Sequence, residues 1–599
     1  MQTTNDPHQQ FAEFFRVESL KPYAYLLSRA MSEGSLCLHL DRLEEKALAA
    51  PQWCQKLLQT PVPLQEIPLV AHDGNDNRPF VWTHNRLYTQ RYYRYETQCM
   101  ERIRQFLETE KEGLEQRMAA LKANAGFIQK LFEKNSAALL PDWQLAAAVT
   151  GAFFHFCIIT GGPGTGKTTT VARLLSILYQ LQPGLNIALA APTGKAAARM
   201  GESLRSAAQD ADAGLKKLLQ DLTPATLHRL LKPRKNTPYF QHNADHPLPH
   251  DVVIVDECSM VDAALFAKLL GAVGKGTRLI LLGDKAQLAS VEAGSLFGDL
   301  CAALPVLNAF PPAHTALINA FIPEPERKLP DAAATAAHHP LSGHIVELRH
   351  SHRFKGNRGI GQLSRAVLEN DTDTISAFVQ GAHQDDEVII DTSYDAALFE
   401  DFIRGYEAFM EETDIATALK KLSALRVLCA TREGPQGVYQ TNQRIERWLQ
   451  KRKKLAPYHI NYEHRPVILT RNYYDHGLFN GDTGIIRRDE NGTLAAYFET
   501  TDGSLKKILP GYLTEAETAF AMTIHRSQGS EFNAVLVLLP QDAGSPILTR
   551  ELLYTAITRA KNHVTIQSNE TTLHYATRRV VERASGIAAR LENVFQLQS

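Results

Sequence analysis

One stretch, GGPGTGKTTT at residues 161–170, constrains the fold more than any other part of this chain. It satisfies the spacing G-x-x-x-x-G-K-[ST], with Gly161, Gly166, Lys167 and Thr168 in register. The apolar residues 153–159 before it read as a buried strand, and residues 169–179 after it read as a helix. Strand, glycine loop and helix N-terminus together make an anion cradle. Glycines let backbone N–H groups face phosphate oxygens, and the aligned peptides of the helix add positive charge. Gly161, Gly162, Pro163, Gly164, Thr165, Gly166, Lys167, Thr168 and Thr169 are therefore the candidate phosphate contacts. In such a cradle the lysine reaches the β- and γ-phosphates of ATP, and the hydroxyl of Thr168 holds Mg²⁺.

A second signal has the same logic. DVVIVDECSM, residues 251–260, is a β-branched strand that ends in two carboxylates. Asp256 suits Mg²⁺, directly or through water, and Glu257 suits orienting and deprotonating an attacking water. A further strand, residues 278–282, runs into GDKAQLAS and puts Asp284 and Gln287 at its carboxyl end, where a Gln contacts the γ-phosphate or the water. Three strand ends thus carry polar groups suited to one nucleotide–Mg²⁺ site. Upstream, Asp142 is a candidate helix cap, and Gln144 offers the donor and acceptor that match the N6 and N7 edge of adenine. LNIALAAPTGKAAARM, residues 185–200, reads as strand, turn and helix, with Thr193 and Lys195 where open α/β sheets bind ligands. TPATLHRLL, residues 223–231, offers Thr226 and His228 near a helix start, groups typical of phosphate contacts. Each of these last two segments, alone, also reads as an ordinary strand–turn–helix unit.

Composition sets outer bounds. The 599 residues correspond to about four domains, and 44% hydrophobic with 22% charged residues indicates a soluble globular chain. With 64 basic and 65 acidic residues, bulk charge says nothing about nucleic acid; any basic surface is local. Seven cysteines without a C-x-x-C pair argue against a disulfide framework or a zinc module, and for a reducing, cytoplasmic setting. No signal peptide and no apolar run long enough to span a bilayer is legible, so no membrane role is expected.

The remaining segments carry weaker signals. Residues up to about 130 read as mostly helical, and NRLYTQRYYRYE at 85–96 interleaves tyrosines and arginines. Such a stretch serves a single strand or a protein partner, although amphipathic packing is the plainer reading. Residues 232–249 are polar and proline-punctuated, with Tyr239 and Phe240 near the centre, and read as a small hairpin or a loop. Residues 302–343, rich in Ala, Pro and His, read as a surface excursion. ELRHSHRF, residues 347–354, opens a new block with Arg349 and Arg353. Residues 465–488 read as strand, turn and strand around Asn480-Gly481-Asp482, and strand-like runs at 494–499 and 505–509 extend this to a small β-barrel. TIHRSQGSEF at 523–532 reads as turn and helix before a strand, and residues 552–566 as a helix carrying Arg559 and a last strand.

Taken in order, GGPGTGKTTT, APTGKAAARM, DECSM, GDKAQL, HRF, NGDTG, TIHRSQGSEF and YTAITRAK resemble the motif series of superfamily 1 helicases over residues 144–561. Chain length and the N-terminal segment are most similar to the RecD branch. The resemblance implies an α/β fold: two RecA-like parallel-sheet motor domains at 131–345 and 346–599, with ATP between them. It implies a helical partner-docking domain at 1–130, a hairpin inserted at about 232–250 and the β-barrel inserted at about 465–515. By the same resemblance Gln144 contacts adenine, Lys167 and Thr168 bind phosphate and Mg²⁺, and Asp256 and Glu257 serve Mg²⁺ and water. Gln287, Arg353 and Arg559 sense the γ-phosphate, the arginines as fingers from the second motor domain. Pro192, Thr193, Thr226, His228, Asn480, Thr523 and His525, with Lys195 beside them, line a single-strand track. The implied activity is ATP-driven helicase action on single-stranded DNA and double-strand DNA ends, in a heterotrimer with RecB-like and RecC-like subunits, with cutting left to a partner. Movement is expected 5′ to 3′. The 3′-to-5′ motors carry a large helical insertion, whereas residues 482–523 are strand-like and short of the roughly 50 residues of a minimal domain. The alternative is a stand-alone RecD-like helicase; those carry extra N-terminal elements for which the stretch before Gln144 leaves little room. A scaffold with a dead ATPase is disfavoured by the intact Lys167, Glu257, Arg353 and Arg559.

Overall fold

Helices dominate the N-terminal region, and four short strands join them. β1 (Cys37–His39), β2 (Val70–His72), β3 (Phe80–Thr83) and β4 (Arg86–Thr89) make a sheet in the order β1–β4–β3–β2. The mostly helical reading of residues up to about 130 holds, and this small sheet is what it did not foresee. Strands of three or four residues are too short to display an alternation, and helices between them dominate the pattern. This unit has its own core, including Leu20, Leu26, Cys54, Leu64, Phe80 and Leu87. The tyrosine- and arginine-rich stretch divides at its boundary: RLYT is β4, and the helix Gln90–Thr109 follows. That helix packs elsewhere, with Met100, Ile103, Phe106 and Leu107 on one face of the next sheet, while Ile128 and Phe132 lie on the other. The N-terminal unit therefore ends near Thr89, well before residue 130. The computed structural model describes residues 6–74, 76–133, 141–207, 213–331, 339–354, 358–382, 386–455, 459–500 and 503–596.

β5 (Phe156–Gly161), β6 (Ile187–Ala191), β7 (Ala225–Thr226), β8 (Val252–Val255), β9 (Arg278–Gly283) and β10 (Ile345–Leu348) form the first parallel sheet, in the order β10–β5–β9–β8–β6–β7. Its two faces bury different residues of the same strands. Phe156, Ile158, Val253 and Leu281 belong to one core; Cys157, Ile159, Ile254 and Leu282 belong to the other. Burial on both faces is why these strands read as unbroken apolar runs. The expected surface excursion at 302–343 is corrected for its described part. A helix, Pro312–Asn319, lies there, and Phe310, Leu317, Ile318, Phe321 and Leu329 pack into the second of these cores. Residues 332–338 lie outside the described residues. Proline starts that helix and buried His314 sits on it, which hid its apolar face.

The second half begins with β11 (Val388–Asp391) and β12 (Leu425–Cys429). The chain then leaves to build β13 (Pro466–Leu469), β14 (Thr483–Arg488), β15 (Leu494–Glu499), β16 (Leu505–Ile508) and β17 (Ala516–Thr518). It returns as β18 (Ala521–Thr523), β19 (Phe532–Leu538) and β20 (Ala560–Gln567). The second parallel sheet has the order β11–β20–β19–β12–β18. The excursion is an antiparallel sheet, β16–β15–β14–β13–β17, over a core of Val467, Leu469, Ile486, Phe498 and Ile508. Its ladder does not close from β16 onto β17 among the described residues, so in hydrogen bonds the expected barrel is an open sheet. All seven cysteines are buried and unbridged, and no described helix is long and apolar enough to cross a membrane.

Candidate active site

A cavity of about 740 Å³ lies at the carboxyl ends of β5, β8 and β9 and is lined from the other half by Arg353, Glu531 and Arg559. Its floor is the loop predicted from GGPGTGKTTT. Gly164 and Gly166 hold φ of 76° and 85°, which side chains avoid, and neighbours forbid a side chain as well. A Cβ at 164 would stand 2.3 Å from Arg353 Cβ, and one at 166 would stand 2.3 Å from Gln144 Nε2. The helix Lys167–Leu181 starts directly after. Lys167 Nζ donates to the carbonyls of Gly161 (2.6 Å) and Gly162 (3.3 Å).

Gln144 braces this loop. Its amide nitrogen donates to the Thr165 carbonyl at 3.0 Å and lies 3.0 Å from His352 Nε2, while its oxygen accepts from Arg173 Nη1 at 3.0 Å. The crossover segment sits on the same loop: the His352 N–H donates to the Gly164 carbonyl (2.8 Å) and the Ser351 hydroxyl to the Pro163 carbonyl (3.1 Å).

Facing the loop, Asp256 Oδ1 accepts from the Glu257 N–H at 2.8 Å, and Glu257 is held at φ 54°, a conformation a non-glycine residue adopts at a cost. Burial and the negative charge of Glu257 raise the Asp256 carboxyl, against the pull of Lys167. Behind β9, Gln287 Nε2 and the Tyr554 hydroxyl both donate to Asp284 Oδ2, at 2.9 and 3.1 Å. The Leu288 N–H donates to the Thr555 hydroxyl (2.9 Å), and Gln528 Nε2 donates to the Leu288 carbonyl (2.6 Å). These bonds run from the end of β9 to the second half, so Gln287 sits in a network that links the two sheets.

Arg559 is 2% exposed and donates through Nη1 to the Ser530 carbonyl at 3.1 Å. Arg353 Nη2 lies 2.5 Å from Glu531 Oε1, and Arg199 pairs with the same oxygen. Burial would raise the Glu531 carboxyl, but Arg199 and Arg353 override it and hold it at about 2. Sequence reasoning did not weigh Arg199, His352, Glu531 or Tyr554. For Arg199 a signal existed: it falls four residues after Lys195 on the helix Gly194–Ala207, hence on one face with it.

The residues expected along a strand track divide. Pro192 and Thr193 follow β6, Thr226 ends the adjacent β7, and Thr523 ends β18. The three threonine hydroxyls each accept a local backbone N–H, from Ala196, Arg229 and Arg526 at 3.2, 3.2 and 3.3 Å. The turn bearing Thr193 meets two segments of the other half: a Cβ at Gly529 would lie 3.5 Å from Thr193 Oγ1, and one at Gly194 would lie 3.3 Å from the ring of Phe479, next to Asn480. His525 opens the short turn after β18, and burial and Arg583 keep its imidazole below the usual range. Lys195 lies partly exposed at the start of the helix Gly194–Ala207. Its ammonium is 5.6 Å from the Phe532 ring, and burial, Arg426 and Arg199 lower it to about 8. His228 lies against Phe240, with ring centroids 5.7 Å apart. The 232–250 insertion is a single bridge between Pro233 and Phe240; Phe240 is buried and Tyr239 is 67% exposed.

A phosphate loop on one parallel sheet, closed over by arginines of a second, defines a P-loop nucleotide hydrolase of the two-sheet helicase class. A family model described as an AAA domain matches residues 144–293, a UvrD-like helicase C-terminal domain matches 518–566, and the N-terminal domain of RecBCD enzyme subunit RecD matches 8–88. RecBCD enzyme subunit RecD of Mycobacterium tuberculosis (strain CDC 1551 / Oshkosh) is 35% identical over 582 residues, covering 94% of this chain and 90% of that protein. The Haemophilus influenzae RecD is 34% identical, covering 76% and 73%, and the ATP-dependent RecD2 DNA helicase of Deinococcus radiodurans is 31% identical, covering 68% of this chain and 46% of that protein. This chain belongs to the RecD family.

Proposed function

We propose that the chain is an ATP-driven 5′-to-3′ DNA helicase motor, working as one subunit of an assembly with RecB-like and RecC-like partners on double-strand DNA ends. The observation that carries the motor reading is the shared cavity, where the phosphate loop of one sheet faces Arg353 and Arg559 of the other half. Charge that develops on a γ-phosphoryl group needs cations that are complete only when both halves close, so hydrolysis is tied to their relative movement. In this reading the parallel sheets are the cores of two RecA-like motor domains divided just after β10, a few residues beyond the expected boundary at 345, and the antiparallel sheet is a small barrel-like insert. Gln144 recognises adenine; Lys167 and the loop from Gly161 to Thr169 hold the phosphates; Glu257 activates water; Gln287, Arg353 and Arg559 sense the γ-phosphate. Thr168 and Asp256 would hold Mg²⁺: both offer the oxygen ligands this ion prefers, and a cation there offsets the burial that disfavours charge on Asp256. Thr193, Asn480, Thr523 and His525 contact the strand, together with Pro192 and Thr226.

The 5′-to-3′ polarity is supported by the insert in the second half, which is built of strands and not of helices. Streptavidin displacement from single strands biotinylated at one end tests it. ATP-dependent displacement from the 3′ end alone is expected. Displacement from the 5′ end alone would reverse the polarity, and none from either end would remove the motor reading.

The subunit reading is favoured over a stand-alone helicase because the similarity runs nearly the full length of RecD proteins. The N-terminal unit, with its own core, is then the docking module. Deleting residues 1–88 is expected to abolish co-purification with the two partners while leaving part of the DNA-stimulated ATPase. Undiminished co-purification would show that docking lies elsewhere.

A further inference from the structure

Glu531 stands immediately before β19, with its side chain 9% exposed, on the wall of the candidate nucleotide cavity. A carboxylate beside a phosphate loop repels a polyanion unless it is neutralised. Here it meets three cations from separate parts of the chain. Oε1 takes Arg353 Nη2 at 2.5 Å and pairs with Arg199; Oε2 lies 3.6 Å from Lys561 Nζ. The grip on Arg353 uses one arm only. Its Nη1 is buried with no hydrogen-bond partner among the described residues, although buried donors are normally satisfied. Arg353 is also pressed against the phosphate loop, since Gly164 has no room for a Cβ beside it. A guanidinium is a planar fork, so fixing one arm aims the other.

We propose that Glu531 is a positioning residue for phosphoryl transfer: it grips one arm of Arg353, and Arg199 with it, so that the second arm of Arg353 is presented to the terminal phosphoryl group of ATP. This rests on the ATPase reading above. A mere ion pair between the halves would support stability; a positioning residue supports turnover.

The two roles separate in the full-length protein with single-stranded DNA. Glu531→Gln keeps the shape and removes the charge. Its kcat, measured well below the melting temperature, is expected to fall about 10²-fold, while the Kd for a fluorescent non-hydrolysable ATP analogue stays within about 3-fold and thermal melting drops, since three cations lose their counter-charge. The double variant Glu531→Gln/Arg353→Ala is expected to turn over no more slowly than Arg353→Ala alone, because both act on one transition state. Arg353→Lys, which keeps a cation for Glu531 but has no second arm, is expected to match Arg353→Ala, and it tests the idea should Glu531→Gln fold poorly. Wild-type turnover in Glu531→Gln or Arg353→Lys, or losses that multiply in the double variant, would overturn the proposal. Tighter analogue binding by Glu531→Gln would also overturn it and mark Glu531 as a competitor of phosphate. Absence of DNA-stimulated hydrolysis in the wild type overturns the ATPase reading itself, and the proposal with it.

Discussion

Lys167→Ala is expected to abolish ATP hydrolysis and DNA unwinding, lowering kcat by at least about 10³-fold, in a protein that remains folded. The lysine sits at the start of the helix Lys167–Leu181, and its ammonium bonds the carbonyls of Gly161 and Gly162. Backbone N–H groups of the loop supply dipoles to a phosphate; Lys167 supplies the full positive charge in the cradle. Losing it leaves the β- and γ-phosphates without a cation from the loop, and the barrier rises. The structural cost is small. Alanine is the best helix former, and the two lost hydrogen bonds together contribute on the order of 1–3 kcal/mol. Steady-state ATPase assays with single-stranded DNA, alongside circular-dichroism melting, check this. Wild-type turnover in a folded Lys167→Ala protein would remove the nucleotide-site assignment.

Legibility in the sequence followed how local the determinant was. β5, β8 and β9 are buried on both faces, so their apolar runs were unmistakable, and the segment after each supplies residues that line the cavity. Lys167, Asp256, Glu257 and Gln287 are positioned by their own strand ends, and spacing alone found them. Arg199, Arg353 and Glu531 belong to the same cavity but lie far apart in the chain, and only folding reveals that one carboxylate takes both arginines. Lys195 shows both. Its place after a strand was legible, whereas the ring of Phe532 beside its ammonium comes from a segment far along the chain. The N-terminal sheet escaped because each strand spans three or four residues. Tyr239 and Phe240 were indistinguishable as neighbours, yet one is exposed and the other is core.

Glu257→Gln is expected to keep ATP binding and slow hydrolysis by about 10²- to 10⁴-fold, the range for loss of a general base. Glutamine matches glutamate in shape but cannot take a proton from water. The neighbouring carboxylate gives the second half of the prediction. The charge of Glu257 helps to raise the Asp256 carboxyl, so its removal lowers that group towards its ordinary range. Asp256 then stays ionised to lower pH, and binding of Mg²⁺–nucleotide is expected to hold or tighten under mildly acidic conditions. Backbone conformation adds a third arm. At φ 54° Glu257 occupies the left-handed region, which asparagine enters more readily. Glu257→Asn is therefore expected to lose hydrolysis while gaining about 1 kcal/mol of stability, the strain being released where no catalytic group needs it. Equilibrium binding of a fluorescent ATP analogue, single-turnover hydrolysis and thermal melting of both variants measure the three arms. Loss of analogue binding in Glu257→Gln would mean that Asp256 and Glu257 do not divide the work as assigned. A melting temperature for Glu257→Asn at or below wild type would show that the left-handed backbone stores no strain there.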